Sequence, residues 1–240
     1  MSDRWREHPS VRRLVQLARA LGPLTERVVF IGEAIAPILQ IDPPFASARV
    51  TKDVGGVAAT ISYGDAAELG DALRTRGFRE AALERHPHRW IAPDGNRFDL
   101  VPAGDYLGAS GQNWDEVAIA TARRTGLEPD IAVRHASAPA FLALTWAAFA
   151  DRGAGDPFAS YDIEDILALL ASRRTIVEDV AASPESVREF LRERFAWLAT
   201  HRDFDDLLAA TLGNAFSPAE VIGSTRARIV RLSAINYPLS

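Results

Sequence analysis

The amino-acid sequence predicts an α+β chain, a mixed sheet with flanking helices followed by a C-terminal helical domain. Three observations predict it. Val28-Val29-Phe30-Ile31 is a continuous apolar run ended by Gly32, as in a strand covered on both faces. Arg89-Trp90-Ile91 and Arg97-Phe98-Asp99-Leu100-Val101 flank Pro93-Asp94-Gly95-Asn96, a strong hairpin turn. Beyond roughly residue 137 the apolar spacing is helical only.

Taken in order, Val11, Leu14, Val15, Ala18 and Leu21 recur at helical spacing until Gly22-Pro23 stops the helix. The first strand, its glycine turn and a short helix to Leu39 follow. Pro43-Pro44 opens a loop, and Val50 to Ile61 reads as a strand region interrupted by Gly55-Gly56, where side-chain packing is lost. Ala66 to Arg76 is helical and stops at Gly77. The later helices are Ala138 to Ala150, Asp162 to Ala171, Pro184 to Thr200, Phe204 to Leu212 and Pro218 to Leu232. Ser217-Pro218-Ala219-Glu220 carries a capping-box start, Ser183-Pro184 starts its helix similarly, and Phe195 and Trp197 read as core. Glu128-Pro129-Asp130 is the predicted linker, giving domains at 1–130 and 131–240.

With 240 residues, the chain can bury two small cores. Its 48% hydrophobic and 25% charged residues are those of a globular protein, not a disordered one. The absence of Cys removes disulfides, thiolate metal sites and cysteine nucleophiles. A net charge of −5 argues against broad nucleic-acid binding while allowing a local arginine-lined groove. The charged N-terminus lacks an apolar signal core and no apolar run is long enough to span a bilayer, so a cytoplasmic protein with no membrane association is expected.

Gly32 after the first strand, Asp53 at the start of the second and Asp99 in the strand after the hairpin form the chemical constellation. Residues two apart on a strand face the same way, so an Asp-x-Asp pair and one Asp from a neighbouring strand can converge on one point. Carboxylates so placed hold divalent cations against a triphosphate, and a glycine turn brings backbone N–H groups to phosphate.

The stretches Val28 to Gly32, Arg49 to Val54, Arg76-Gly77-Phe78, Arg89-Trp90, Phe98 to Pro102, Ala138 to Ala143, Phe149 to Gly153 and Ser160 to Ile166 occur in the order seen in one family. On these matches the chain resembles the AbiEii-like nucleotidyltransferases, relatives of abortive-infection toxins with a polymerase-beta superfamily fold. The resemblance implies transfer of a nucleoside monophosphate from an NTP to an RNA, protein or small-molecule acceptor, with Mg²⁺ as cofactor and an antitoxin as a partner. It implies metal ligation and catalysis by Asp53 and Asp99, with Asp165 as a further catalytic acid. It also implies phosphate or nucleotide contact near Gly32, with supporting roles for Arg49, Thr51 and Lys52. Because Arg and Lys suit phosphate, Arg49, Lys52 and Arg152 are the candidate contacts for a nucleotide expected in a cleft between the α/β half and the helices after residue 137.

The chain departs from the pattern at three places. The second strand reads Asp53-Val54-Gly55 where Asp-x-Asp is usual. Glu33 follows the glycine turn and places a negative charge where phosphate belongs, and Thr145 and Ala147 stand where the family has Lys and Glu. A catalytically inactive binding or interaction module, or a repurposed site using Glu33 or Asp165, is therefore the rival reading. Asp162, Glu164 and Asp165 also fit a plain helix first turn, where the dipole favours acids. His86 and His88, flanking Pro87, are read as ordinary loop histidines.

Overall fold

A computed structural model of the protein describes residues 3–40, 49–58, 63–81, 88–103, 113–152, 156–215 and 217–235. Pro43, Pro44, Ile61 and His86 lie outside these residues. The chain divides into two units, Met1–Ile38 with Arg49–Ser137, and Leu39–Ala48 with Ala138–Ser240.

The first unit opens with α1 (Pro9–Leu21), started by Pro9 at its first position and by His8, whose ring accepts from the Ser10 N–H at 3.2 Å. A 3₁₀ segment, Gly22–Arg27, leads into β1 (Val28–Ile31). Gly32 then turns the chain at φ 72°, in the left-handed region where glycine is favoured, into α2 (Ala36–Leu39). There follow β2 (Asp53–Ala58), α3 (Tyr63–Thr75), β3 (Arg79–Glu80), β4 (Arg89–Ile91), β5 (Arg97–Pro102), α4 (Trp114–Ala120), β6 (Arg123–Glu128) and β7 (Ile131–His135). Among the described residues these strands form one mixed sheet in the order β3-β4-β5-β2-β1-β7-β6. β1 runs antiparallel to β2 and parallel to β7, whereas β2 and β5 are parallel.

Val28, Val29 and Phe30 are all fully buried, so β1 is covered on both faces as its unbroken apolar run predicts. Phe98 packs between Phe30 and Phe78, with ring centroids 6.2 and 6.4 Å away. This cluster explains a glycine that the sequence left puzzling. A Cβ on Gly56 would lie 2.8 Å from Val28 Cγ1 and 2.9 Å from Phe98 Cε2, so only glycine lets the ring approach. β2 is not interrupted at Gly55-Gly56 after all, because both glycines pair in regular register with β1 and with β5.

The predicted linker is also corrected. Glu128-Pro129-Asp130 is the turn region of the β6–β7 hairpin, and the sheet unit runs on to Ser137. Ile131, Val133 and His135 alternate inward along β7, while the polar Arg123-Arg124-Thr125-Gly126 run sits on an edge strand and does not read as a strand by hydrophobicity.

The second unit contains α5 (Ala138–Asp151), α6 (Tyr161–Ser172), α7 (Ile176–Ala181), α8 (Glu185–Ala199), α9 (Phe204–Leu212) and α10 (Pro218–Ser233). α5 is buried over most of its circumference, as its apolar composition on all sides requires. Trp146 of α5 stacks edge-on with Phe149 and Phe195 at 5.7 and 5.8 Å. Phe195 is core as predicted, but Trp197 is 41% exposed. Ser217 occupies the N-cap position of α10 without a side-chain cap bond, and at α8 the N-cap is Pro184, the Ser183 hydroxyl instead donating to the Val180 carbonyl. Among the described residues no helix is long and apolar enough to cross a membrane.

The two adjacent glycines of β2 differ sharply in what they tolerate. A Cβ on Gly55 meets only Ile31, at 3.3 Å, and needs a shift of a few tenths of an ångström. Gly56→Ala is expected to cost about 1–3 kcal/mol through overpacking, and Gly55→Ala less than about 1 kcal/mol, both read as shifts in urea midpoint.

Candidate functional site

The register brings the predicted acids together. In the parallel β2–β5 pair Asp53 lies opposite Arg97 and Gly55 opposite Asp99; in the antiparallel β4–β5 pair Asp99 lies opposite Arg89. The period of two along each strand puts Asp53, Gly55, Arg97, Asp99 and Arg89 on one face of the sheet. Asp53 and Asp99 therefore lie on adjacent strands and share a cation, and that cation is Arg89. Its Nε donates to Asp99 Oδ1 at 2.7 Å and its Nη2 to Asp99 Oδ2 at 2.8 Å, a bidentate pair. The same Nη2 reaches past the bare backbone of Gly55 to Asp53 Oδ2 at 3.2 Å. Arg89 is 6% exposed, against 38% for the Asp53 side chain and 30% for that of Asp99.

A buried guanidinium is costly unless paired, and here two carboxylates from neighbouring strands neutralise it. Asp53 Oδ1 is buried without a hydrogen bond, facing Arg97 Nη1 at 3.6 Å. Thr51 braces the start of β2: its hydroxyl donates to the Asp53 carbonyl at 3.1 Å, while its own carbonyl accepts from Arg13 at 2.5 Å.

These donors do not fit Mg²⁺. A divalent ion of this kind needs an oxygen-lined position, and the space between the two carboxylates holds a fixed positive group, with no side chain at Gly55 to add a ligand. Among the described residues no group of three or more His, Asp or Glu side chains converges as a metal site.

The remaining predicted residues fall into two sets. In the sheet unit, Gly32 makes its turn as expected, and Arg49 is ion-paired with Glu33, the residue that was expected to repel phosphate. Lys52 is exposed and forms no hydrogen bond or ion pair among the described residues. In the helical unit, Arg152 forms a two-pronged pair with buried Asp162, its Nε donating at 2.9 Å, and Asp165 is buried on the same helix, α6. Thr145, at the place of the family's Lys, donates its hydroxyl to the Phe141 carbonyl at 2.8 Å within α5. No protein-family model matches the sequence, and no curated protein matches it significantly. The likeness to AbiEii-like nucleotidyltransferases therefore rests on the residues quoted for it.

The sequence places Arg89 in the first strand of the hairpin and in a matching dipeptide, but gives no sign of its role between the two acids. The signal for its register needs the exact turn: the loop is Pro93–Gly95, with Ala92 opposite Asn96, and four steps out on either side then place Arg89 directly opposite Asp99, whereas a four-residue Pro93–Asn96 turn would put Trp90 there. Sequence analysis also missed Asp115, a carboxyl in the first turn of α4 that is 5% exposed and has no hydrogen bond or ion pair among the described residues. Burial pushes its pKa up from 3.8 to about 6.

Removing the Arg89 charge leaves two partly buried carboxylates facing each other. Arg89→Met is expected to lower stability by about 2–3 kcal/mol, less than for a fully buried pair because both acids are part-exposed; chemical denaturation measures it. For Asp115, the folded chain keeps a proton that the unfolded chain has already released, so the stability this group contributes falls as pH climbs from about 4 to about 6. Denaturation midpoints across that range should show Asp115→Asn gaining on the natural protein as pH rises, and parallel profiles would exclude a buried, protonated Asp115.

Proposed function

We propose that this chain is a nucleotidyltransferase-like protein whose transferase site has become an internal ion pair, and that it serves as a binding and interaction module. The observation that carries this reading is the buried Arg89 guanidinium, bonded to both carboxylates that nucleotidyl transfer would require. In two-metal transfer, cations hold the attacking and leaving oxygens in line. A guanidinium has no empty coordination position, so Arg89 can neutralise Asp53 and Asp99 but cannot take a substrate oxygen as a ligand.

Two of the departures from the family pattern support the same reading, because each is matched by a local partner. Glu33 pairs with Arg49, and Thr145 bonds back to its own helix. The arginines that are candidate phosphate contacts are thus engaged within the fold, Arg49 by Glu33 and Arg152 by Asp162.

Transfer from labelled NTPs to RNA and protein acceptors tests the proposal. The natural chain should give no more product than Asp53→Ala, and Gly55→Asp alone should stay silent because Arg89 still fills the site. Transfer by the natural chain that vanishes in Asp53→Ala would make it an active nucleotidyltransferase and overturn the reading.

A further inference from the structure

A groove of about 800 Å³ lies along the other edge of the sheet, between α1 and β6, and its size is in the range of ligand pockets. In the strand order β6 is separated from β2 by β1 and β7, so the groove is distinct from the Asp53–Arg89–Asp99 cluster. Arg12, Gln16 and Arg19 line it from α1, at positions i, i+4 and i+7 of one helical face. The opposite face of α1 is spent on the core through Val11, Leu14, Ala18 and Leu21. Arg6 lines it from the N-terminal segment, with its Nη1 donating to the carbonyls of Gly126, at 2.9 Å, and Leu127, and its guanidinium 4.5 Å from the Trp5 ring centroid. Arg6 is therefore held in place rather than swinging in solvent.

Three guanidinia line the groove and Glu128, paired with Arg19, is the one carboxylate among its lining residues, although the chain as a whole carries −5. The Arg12 guanidinium is exposed and makes no hydrogen bond or ion pair among the described residues. Val15 and Leu127, both buried, give the groove an apolar floor. Planar guanidinium forks suit phosphate oxygens, and an apolar floor suits a base or other nonpolar part of a ligand.

We propose that this groove binds a compact phosphate-bearing ligand of nucleotide size, with Arg12 making the first contact and Arg6 and Arg19 flanking it. Glu128 opposes binding by occupying Arg19. The site does not depend on the reading of the Asp53–Arg89–Asp99 cluster, and its test reports on different residues.

Calorimetric titration of the full chain at about 0.1 M salt with pyrophosphate, ATP and a short single-stranded oligonucleotide tests it. Pyrophosphate and ATP are expected to bind, with affinity reduced about five-fold by Arg12→Ala and raised by Glu128→Gln. A gain on removing a carboxylate cannot come from damage to the fold. Absence of binding by either small ligand, binding indifferent to both substitutions, or binding of the oligonucleotide alone would each overturn the proposal.

Discussion

Arg89 joins three strands of the sheet through charge. Sitting on β4, it grips Asp99 across the hairpin and Asp53 one strand further on, so a single guanidinium ties together β4, β5 and β2. Because the guanidinium is buried, it depends on these carboxylates for its neutralisation, the bidentate bond to Asp99 foremost. The surrounding sequence is shaped by this requirement. Gly55, opposite Asp99, adds no third carboxylate to this face, and Thr51 steadies the strand start from which Asp53 projects.

The same logic holds, within each unit separately, for other residues named by the resemblance. Where groups waiting for an anionic substrate are expected, the protein supplies internal acids to its arginines: Glu33 for Arg49 and Asp162 for Arg152. Residues of opposite charge that neutralise one another locally make good structure and poor substrate handles. By contrast, the arginines of the α1 groove outnumber the acids around them, and there the charge is turned outward.

Much of the fold was legible from pattern alone. The unbroken run of β1, the Pro93–Asn96 hairpin and the helical repeats after residue 137 all reflect burial, which hydrophobic spacing records directly. β6 was illegible because an edge strand can be polar, and the hairpin it forms with β7 passed for a linker because Pro129 and Asp130 look the same in either setting. That Asp53 and Asp99 share a site was implied by the family resemblance, strand periodicity supplying only the common face. What occupies the space between them was not implied, because whether a carboxylate meets a metal or an arginine depends on a third strand whose register must be counted rather than read. Gly56 shows a similar limit: its absent side chain reports on Phe98, far away in sequence and against it in space.

The cation at this sheet face is covalently part of the polymer. A dissociable ion stabilises a fold by mass action and is lost on dilution or to a chelator; a tethered one has a fixed stoichiometry of one per chain and an effective concentration set by the length of an arginine side chain. Arginine also keeps its charge over the whole range of pH that proteins meet. The cohesion of β2, β4 and β5 thus needs no supply of a dissociable cation from the medium, although salt still screens the part-exposed carboxylates.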